Sequence, residues 1–249
     1  MKTKMITRSV KIRLFLESEI SIALDIPLTS DQAKYLFKVM RLSTGQLISV
    51  IDGKTGEYTA EITKRNDKSG SIKIVSKIRD VVVPPNLWLL FSPLKKNRTD
   101  FIIEKATELG VQKIIPVITE RTNSNYFRTK RMKSIIFEAL EQCGGTYLPK
   151  LEEPLKLDRL LASWPTDRQL IFCDETLALK SSESSLSRGK LEPCAGILIG
   201  PEGGFSSQEG QLIRRVRGVN SITLGPRVLR ADTAAVSAIS IWQSINGDW

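Results

Sequence analysis

A chain of 249 residues with 41% apolar and 6% aromatic content has the length for one large domain or a small domain plus a medium one, and the composition of an α/β protein. Lys and Arg number 37 against 27 Asp and Glu, a net charge of +10, which fits either an anionic partner such as nucleic acid or a plain basic surface. Histidine is absent, so His-based triads, His-ligated metals and an imidazole general base are excluded.

The cysteines at 143, 173 and 194 have no CxxC spacing. That argues against a zinc site or a disulfide framework and suits a reducing compartment. No apolar run has the length of a membrane span, and the basic start lacks an apolar core and a small-residue cleavage site. The expectation is a cytoplasmic protein with no membrane and no metal.

Residues 1–80 hold 15 basic and 9 acidic side chains, more than half of the net charge. Short runs of alternating character at 12–16, 46–52, 57–63 and 71–78 predict strands, separated by turn chemistry at 52–56 and 66–70. One helix interrupts them, capped by Thr29, Ser30 or Asp31, with Ala33, Leu36, Phe37 and Met40 at helical spacing. This pattern predicts a small β-barrel. Lys34, Lys38 and Arg41 fall on roughly one helical face, to contact phosphate or simply to be solvated.

Residues 81–86, with two consecutive prolines, read as a linker opening a second domain over 81–249. Strands are predicted at 86–91, 113–119, 169–174, 195–199 and 221–224. Helices are predicted from Thr99 or Asp100 to Leu109, over 129–142, over 157–164 and at the C-terminal end. A polar, serine-rich surface loop is expected at 181–190. Alternation of this kind implies a parallel sheet covered on both faces. Arg121, Arg128, Lys130, Arg131 and Lys133 flank Tyr126-Phe127, the mixture that stacks and neutralises single-stranded RNA, or a solvated surface. Cys143 reads as a small packing residue at a helix end.

The segment 198–236 has the strongest internal logic. Two apolar runs each stop at a Gly-Pro pair, Gly200-Pro201 and Gly225-Pro226, and a helix starts between them with the capping-box pair Ser206 and Glu209. Loops at the carboxyl ends of parallel strands form a ligand crevice. The first loop has neither the P-loop nor the GxGxxG pattern, and Glu202 would repel phosphate. A ligand with a positive centre or hydroxyl donors suits it better, and a structural turn remains open. The second loop mixes Val228 and Leu229 with Arg227 and Arg230 before a helix begins at Asp232 or Thr233. Its apolar residues need a partner: an adenine ring, another part of the fold, or a second subunit.

LIGPEGG at 198–204 and LGPRVLRADTAA at 224–235 are preceded by KVMRLSTGQ at 38–46, FIIEKATELGV at 101–111, Glu120-Arg121 and Glu141-Gln142-Cys143-Gly144. In this order the motifs resemble the RsmE family of 16S ribosomal RNA uracil-N(3)-methyltransferases, within the SPOUT superfamily, over nearly the whole chain. The resemblance implies an N-terminal PUA-like RNA-binding barrel and a C-terminal α/β domain with a trefoil knot. It also implies S-adenosyl-L-methionine as methyl donor, 16S ribosomal RNA of the small subunit as substrate, and a homodimer with active sites near the subunit interface.

By that resemblance the donor is held by Leu198, Ile199, Gly200, Pro201, Glu202, Gly203 and Gly204 of the first loop. From the second come Leu224, Gly225, Arg227, Val228, Leu229 and Thr233, with Leu198 and Val228 packing the adenine. Glu202 takes ribose hydroxyls or favours the sulfonium. Arg230 stabilises the uracil anion, and Asp232 orients that arginine or serves as base. The alternative for Arg227 and Arg230 is an ion pair with Asp232 or an interface carboxylate. Lys34, Lys38, Arg41, Arg121 and Arg128 are the candidate RNA contacts. The chain departs from the family pattern in two places: Ala231-Asp232-Thr233 stands where Thr-Glu-Thr is usual, and Gly145 where arginine is usual. Other readings are a SPOUT enzyme with a different ribosomal or transfer RNA target, and a non-catalytic ribosome-assembly protein.

Overall fold

The structure is a computed structural model that describes residues 12–66, 69–122, 127–178 and 191–249. The expected loop at 181–190, Tyr126, and two residues of the turn at 66–70 lie outside the described residues. The chain forms two compact units. One comprises Met1–Val82 with Leu140–Leu148, and the other Val83–Ala139 with Pro149–Trp249. The segment 140–148, counted with the second domain from sequence, thus belongs to the first unit.

In the first unit, β1 (Arg13–Phe15), β2 (Asp25–Pro27), β3 (Leu47–Ile51), β4 (Glu57–Asn66) and β5 (Ser69–Arg79) form one sheet in the order β1-β3-β4-β5-β2. Leu14 and Ile26, from the two ends of that order, share a single core with Ile48, Val50, Ile62 and Ile72. The sheet therefore curls around its apolar face, as the alternation predicts. Strand β2 escaped the sequence reading because only Asp-Ile-Pro pairs there, with the proline on an edge strand.

Helix α1 (Ser30–Lys34) is capped by Thr29, whose side chain accepts from the Gln32 amide while Gln32 returns a bond to the Thr29 amide. The chain then continues as a π-helical turn over Tyr35–Val39. That wider turn breaks the assumed 3.6-residue spacing. Ala33, Leu36 and Phe37 are buried, but Met40 is exposed.

Glu57 is one of two buried carboxylates described in this unit, with Asp52. It accepts from Arg13 Nε (3.0 Å), Arg79 Nε (2.7 Å) and Ser49 Oγ (2.5 Å). Burial by itself would raise its carboxyl pKa, but these bonds outweigh burial and hold it below the ordinary range.

The second unit alternates β6 (Leu87–Phe91), α2 (Lys96–Glu108), β7 (Lys113–Ile118), α3 (Thr129–Cys143, whose residues from Leu140 on count with the first unit), β8 (Lys150–Leu151), β9 (Leu155–Lys156), α4 (Leu157–Ala162), β10 (Gln169–Cys173), β11 (Ala195–Ile199), α5 (Ser207–Arg214), β12 (Val219–Ile222) and α6 (Ala231–Asn246). The sheet is parallel, in the order β12-β10-β11-β6-β7-β8, with β9 also on β7. Its strands read as continuous apolar runs because helices cover both faces.

Two boundaries move. Helix α2 begins at Lys96 because Thr99 is not its cap: the Thr99 hydroxyl is buried, accepts from Leu94 N at 2.8 Å and donates to Leu94 O at 2.9 Å. Strand β12 ends at Ile222, and Thr223 turns the chain by donating its hydroxyl to Gly225 O at 2.9 Å. The expected strand at 221–224 is thus shifted towards the N-terminus. Among the described residues no helix is long and apolar enough to cross a membrane.

Candidate active site

Strand β10 lies between β11 and β12, so the chain leaves the sheet at three adjacent carboxyl ends. The segments that follow these strands enclose a cavity of about 810 Å³, within the size range of small-molecule sites. This is the switch-point position at which parallel sheets bind ligands.

The first wall is the Gly200 loop. A Cβ on Gly200 would meet the Phe205 ring at 2.7 Å, and Phe205 packs edge-on against Phe172 of β10 with centroids 5.3 Å apart. Gly204 has φ +67°, and a Cβ there would fall 1.9 Å from Glu175 Oε1. Only glycine lets the backbone approach that carboxylate in this conformation. The loop enters α5 through the expected capping box of Ser206 and Glu209, and Glu209 Oε1 also accepts from Glu120 N at 2.8 Å.

The second wall was not read from the sequence. Asp174, just past β10, is almost fully buried, pairs with Arg214 of α5, and accepts from Thr176 N at 3.0 Å and Thr176 Oγ1 at 2.7 Å. Arg214 also lies over the Phe172 ring, 5.6 Å from its centroid. Burial pushes the neighbouring Cys173 thiol up to about 12. The available signal was Asp174-Glu175-Thr176 directly after an apolar strand, an Asx-turn pattern at a strand's carboxyl end.

The third wall is the Gly225 loop. Leu224, Arg227, Val228, Leu229 and Arg230 line the cavity, and Val228 is 67% exposed. No carboxylate among the described residues pairs with Arg227 or Arg230. Arg230 occupies the N-cap position of α6 without a side-chain cap bond, so its guanidinium stays at the rim beside the N–H end of a 16-residue helix.

Arg98, in the first turn of α2, completes the rim. Its Nη1 is 3.2 Å from Glu202 Oε1 and its Nε is 3.7 Å from Asp232 Oδ2. Nothing in its sequence spacing marks it.

Of the candidate donor contacts, Ile199, Gly200, Pro201, Glu202 and Gly204 line the cavity, as do Leu224, Arg227, Val228 and Leu229 of the second loop. Leu198 does not: it is fully buried in the core beneath the sheet with Leu90, Phe172 and Ile213, because alternate residues of β11 face opposite sides. Gly203, Gly225 and Thr233 lie outside the wall, and the Thr233 amide is bonded to Asp232 Oδ1 at 2.9 Å. Asp232 faces Arg98 rather than Arg230.

Among the candidate RNA contacts, Arg121 donates to Gly203 O at 2.6 Å and so buttresses the first loop. Arg128 is exposed at the start of α3. Lys34 pairs with Asp31 at 3.2 Å. Lys38 is exposed within the π-helical turn, and Arg41 is exposed beyond it with φ +56°.

Residues 83–243 match the family model described as the RNA methyltransferase domain, and residues 28–75 match the RNA methyltransferase PUA domain. The chain is 30% identical to ribosomal RNA small subunit methyltransferase E of Aquifex aeolicus over 212 residues, covering 82% of this chain and 88% of that one. It is 27% identical to the protein of the same name from Rickettsia conorii over 229 residues, covering 92% and 93%. Among solved structures, the Neisseria gonorrhoeae ribosomal RNA small subunit methyltransferase E bound to S-adenosyl methionine aligns with a TM-score of 0.81 at 28% identity, over 96% of this chain and 99% of that one.

Proposed function

The chain belongs to the ribosomal RNA small subunit methyltransferase E family, and from that membership we propose that it transfers a methyl group from S-adenosylmethionine to N(3) of a uridine in 16S ribosomal RNA. Its first unit is PUA-like and its second is the α/β unit of the SPOUT type. The strand order, with β11 and β12 flanking β10, supports the knotted course expected of that superfamily. The observation that carries the reading is the cavity at three strand ends, walled by both Gly-Pro loops, with Arg230 unpaired at its rim.

The cavity fits the donor in volume and in chemistry: close-approach glycine backbone on one wall, and carboxylates suited to hydroxyl donors and a cationic centre. When bound, the donor supplies a methyl group on a positively charged sulfur that leaves neutral. The backbones of residues 199–202 and 224–229 would hold it, and Val228 supplies the apolar cover that an adenine ring needs.

Most of the rate gain comes from orientation, because the methyl group is already activated. Arg230 would stabilise the negative charge that grows on the uracil carbonyl oxygens as N(3) gives up its proton. Thr233 N takes one carboxylate oxygen of Asp232 and Arg98 faces the other. The imide proton therefore leaves to water at the open rim, and Asp232 serves to orient. The exposed Val228 beside the cavity supports a second subunit at this rim, and a ribosomal substrate is in keeping with a cytoplasmic enzyme.

The test is to incubate the chain with isotope-labelled S-adenosylmethionine and small ribosomal subunits lacking this modification, then identify the labelled nucleoside by mass spectrometry. The expected product is 3-methyluridine at a single position. Label on a different base or only on transfer RNA would reassign the target. RNA binding without donor binding would leave the ribosome-assembly role.

A further inference from the structure

We propose that Arg98 is a positioning residue that ties the two Gly-Pro loops together across the donor cavity; the inference rests on the methyl-transfer reading above. Glu202 belongs to the loop after β11, Asp232 to the first turn of the helix that follows the β12 loop, and Arg98 to a third element, α2. The guanidinium stands between the two carboxylates, 3.2 Å from Glu202 Oε1 and 3.7 Å from Asp232 Oδ2.

Arginine suits this place because its planar fork carries five N–H donors and a permanent charge, so one side chain serves two acceptors from different segments. A lysine ammonium keeps the charge but loses the fork. The three side chains are 27%, 44% and 19% exposed, in the order Arg98, Glu202 and Asp232. Contacts this open to water add little to folding stability, so their consequence falls on loop position.

The bridge also sets the charge at the rim. Arg98 offsets one of the two carboxylates at its own edge of a rim that Arg227 and Arg230 also share. Without it, two uncompensated carboxylates share one edge of the cavity. Asp232 acts through Arg98 in this arrangement, which accounts for a carboxylate one methylene shorter than glutamate: it needs to reach the guanidinium, not the substrate.

The experiment measures donor binding by calorimetry and methyl transfer for the full chain and for Arg98→Met, Arg98→Lys, Glu202→Gln, Asp232→Asn and the double variants, with thermal melts to confirm folding. Arg98→Met is expected to raise the donor Kd about five- to tenfold, in keeping with the loss of two partly exposed ion pairs. Arg98→Lys should recover part of the loss, and combination with Asp232→Asn should be clearly less than additive. A donor Kd unchanged in Arg98→Met overturns the proposal, as does full additivity with both carboxylate variants. If Arg98→Met does not fold, Arg98→Lys decides by the same two readouts. Failure of the unaltered chain to bind donor is a separate result that removes the methyl-transfer reading and this inference with it.

Discussion

Arg121 Nη1 donates to the carbonyl oxygen of Gly203 at 2.6 Å, and the Arg121 stem covers the same glycine, 3.4 Å from where its Cβ would stand. A cation expected from the sequence to meet RNA thus holds the Gly200 loop in this structure. A charge-assisted bond of this kind contributes about 1.5 kcal/mol, so Arg121→Ala should weaken donor binding roughly tenfold in calorimetry. The dependence of RNA affinity on salt should keep its slope. A slope lower by about one would show that Arg121 also neutralises a phosphate.

Gly204 gives a sharper version of the same argument. Its φ of +67° disfavours any side chain, and the Glu175 carboxylate fills the space a methyl would need. Gly204→Ala should lower stability by about 1–3 kcal/mol in thermal or denaturant unfolding and abolish measurable donor binding even where the chain folds. Gly218, also at positive φ (+76°) but with open space around it, is the control: Gly218→Ala should cost only the backbone term and leave donor affinity unchanged.

The segment 198–236 was legible because its information is local. The Gly-Pro pairs, the Ser206–Glu209 box and the apolar run of β11 all act over a few residues. The wall built by Asp174 and Thr176 was not legible, since it becomes part of the site only because β10 lies between β11 and β12. Arg98 was missed for the same reason: two carboxylates more than a hundred residues away give it its meaning. Leu198 is buried away from the cavity wall that Ile199 lines, because the period-two alternation of a strand sends adjacent side chains to opposite faces. Met40 failed because a π-helical turn follows α1 where α-helical spacing was assumed.

Arg230 lines the cavity with no carboxylate partner among the described residues, which leaves its charge available for a developing oxyanion. Removing such a donor typically costs about 10²–10³-fold in kcat. Arg230→Ala should show that loss in methyl transfer while the donor Kd changes by less than about threefold, within the spread of an exposed side chain. Arg227→Ala, on the same loop and equally exposed, separates the two arginines. A matching loss there would mean that the loop's charge matters rather than one residue.

Cys173 lines the cavity, yet burial keeps its thiol protonated with a pKa of about 12. At pH 8 the thiolate fraction is too small for reaction, so alkylation followed by peptide mass spectrometry should mark the exposed Cys143 and spare Cys173. Rapid labelling of Cys173 that S-adenosylmethionine suppresses would show instead that the cavity opens in solution.

Glu57 and Asp52 are buried carboxylates of the first unit whose pKa is lowered, and Glu57 is the one paired with two arginines. Burial opposes its charged form, but the bonds from Ser49, Arg79 and Arg13 outweigh burial and hold its pKa below the ordinary value. A carboxylate depressed in the folded state contributes stability that is complete above the ordinary glutamate range near pH 4–4.5 and is lost as pH falls through the folded value. Melts of the full chain followed from pH 7 downward should stay level to about pH 5 and then fall. Glu57→Gln removes the charge that both arginines face, and with Arg79 partly exposed it should cost about 2 kcal/mol at pH 7. Its melting temperature should then lie closer to that of the unaltered chain at pH 3 than at pH 7. A constant gap between the two across that whole range would remove Glu57 from the acid response and leave other carboxylates to account for it.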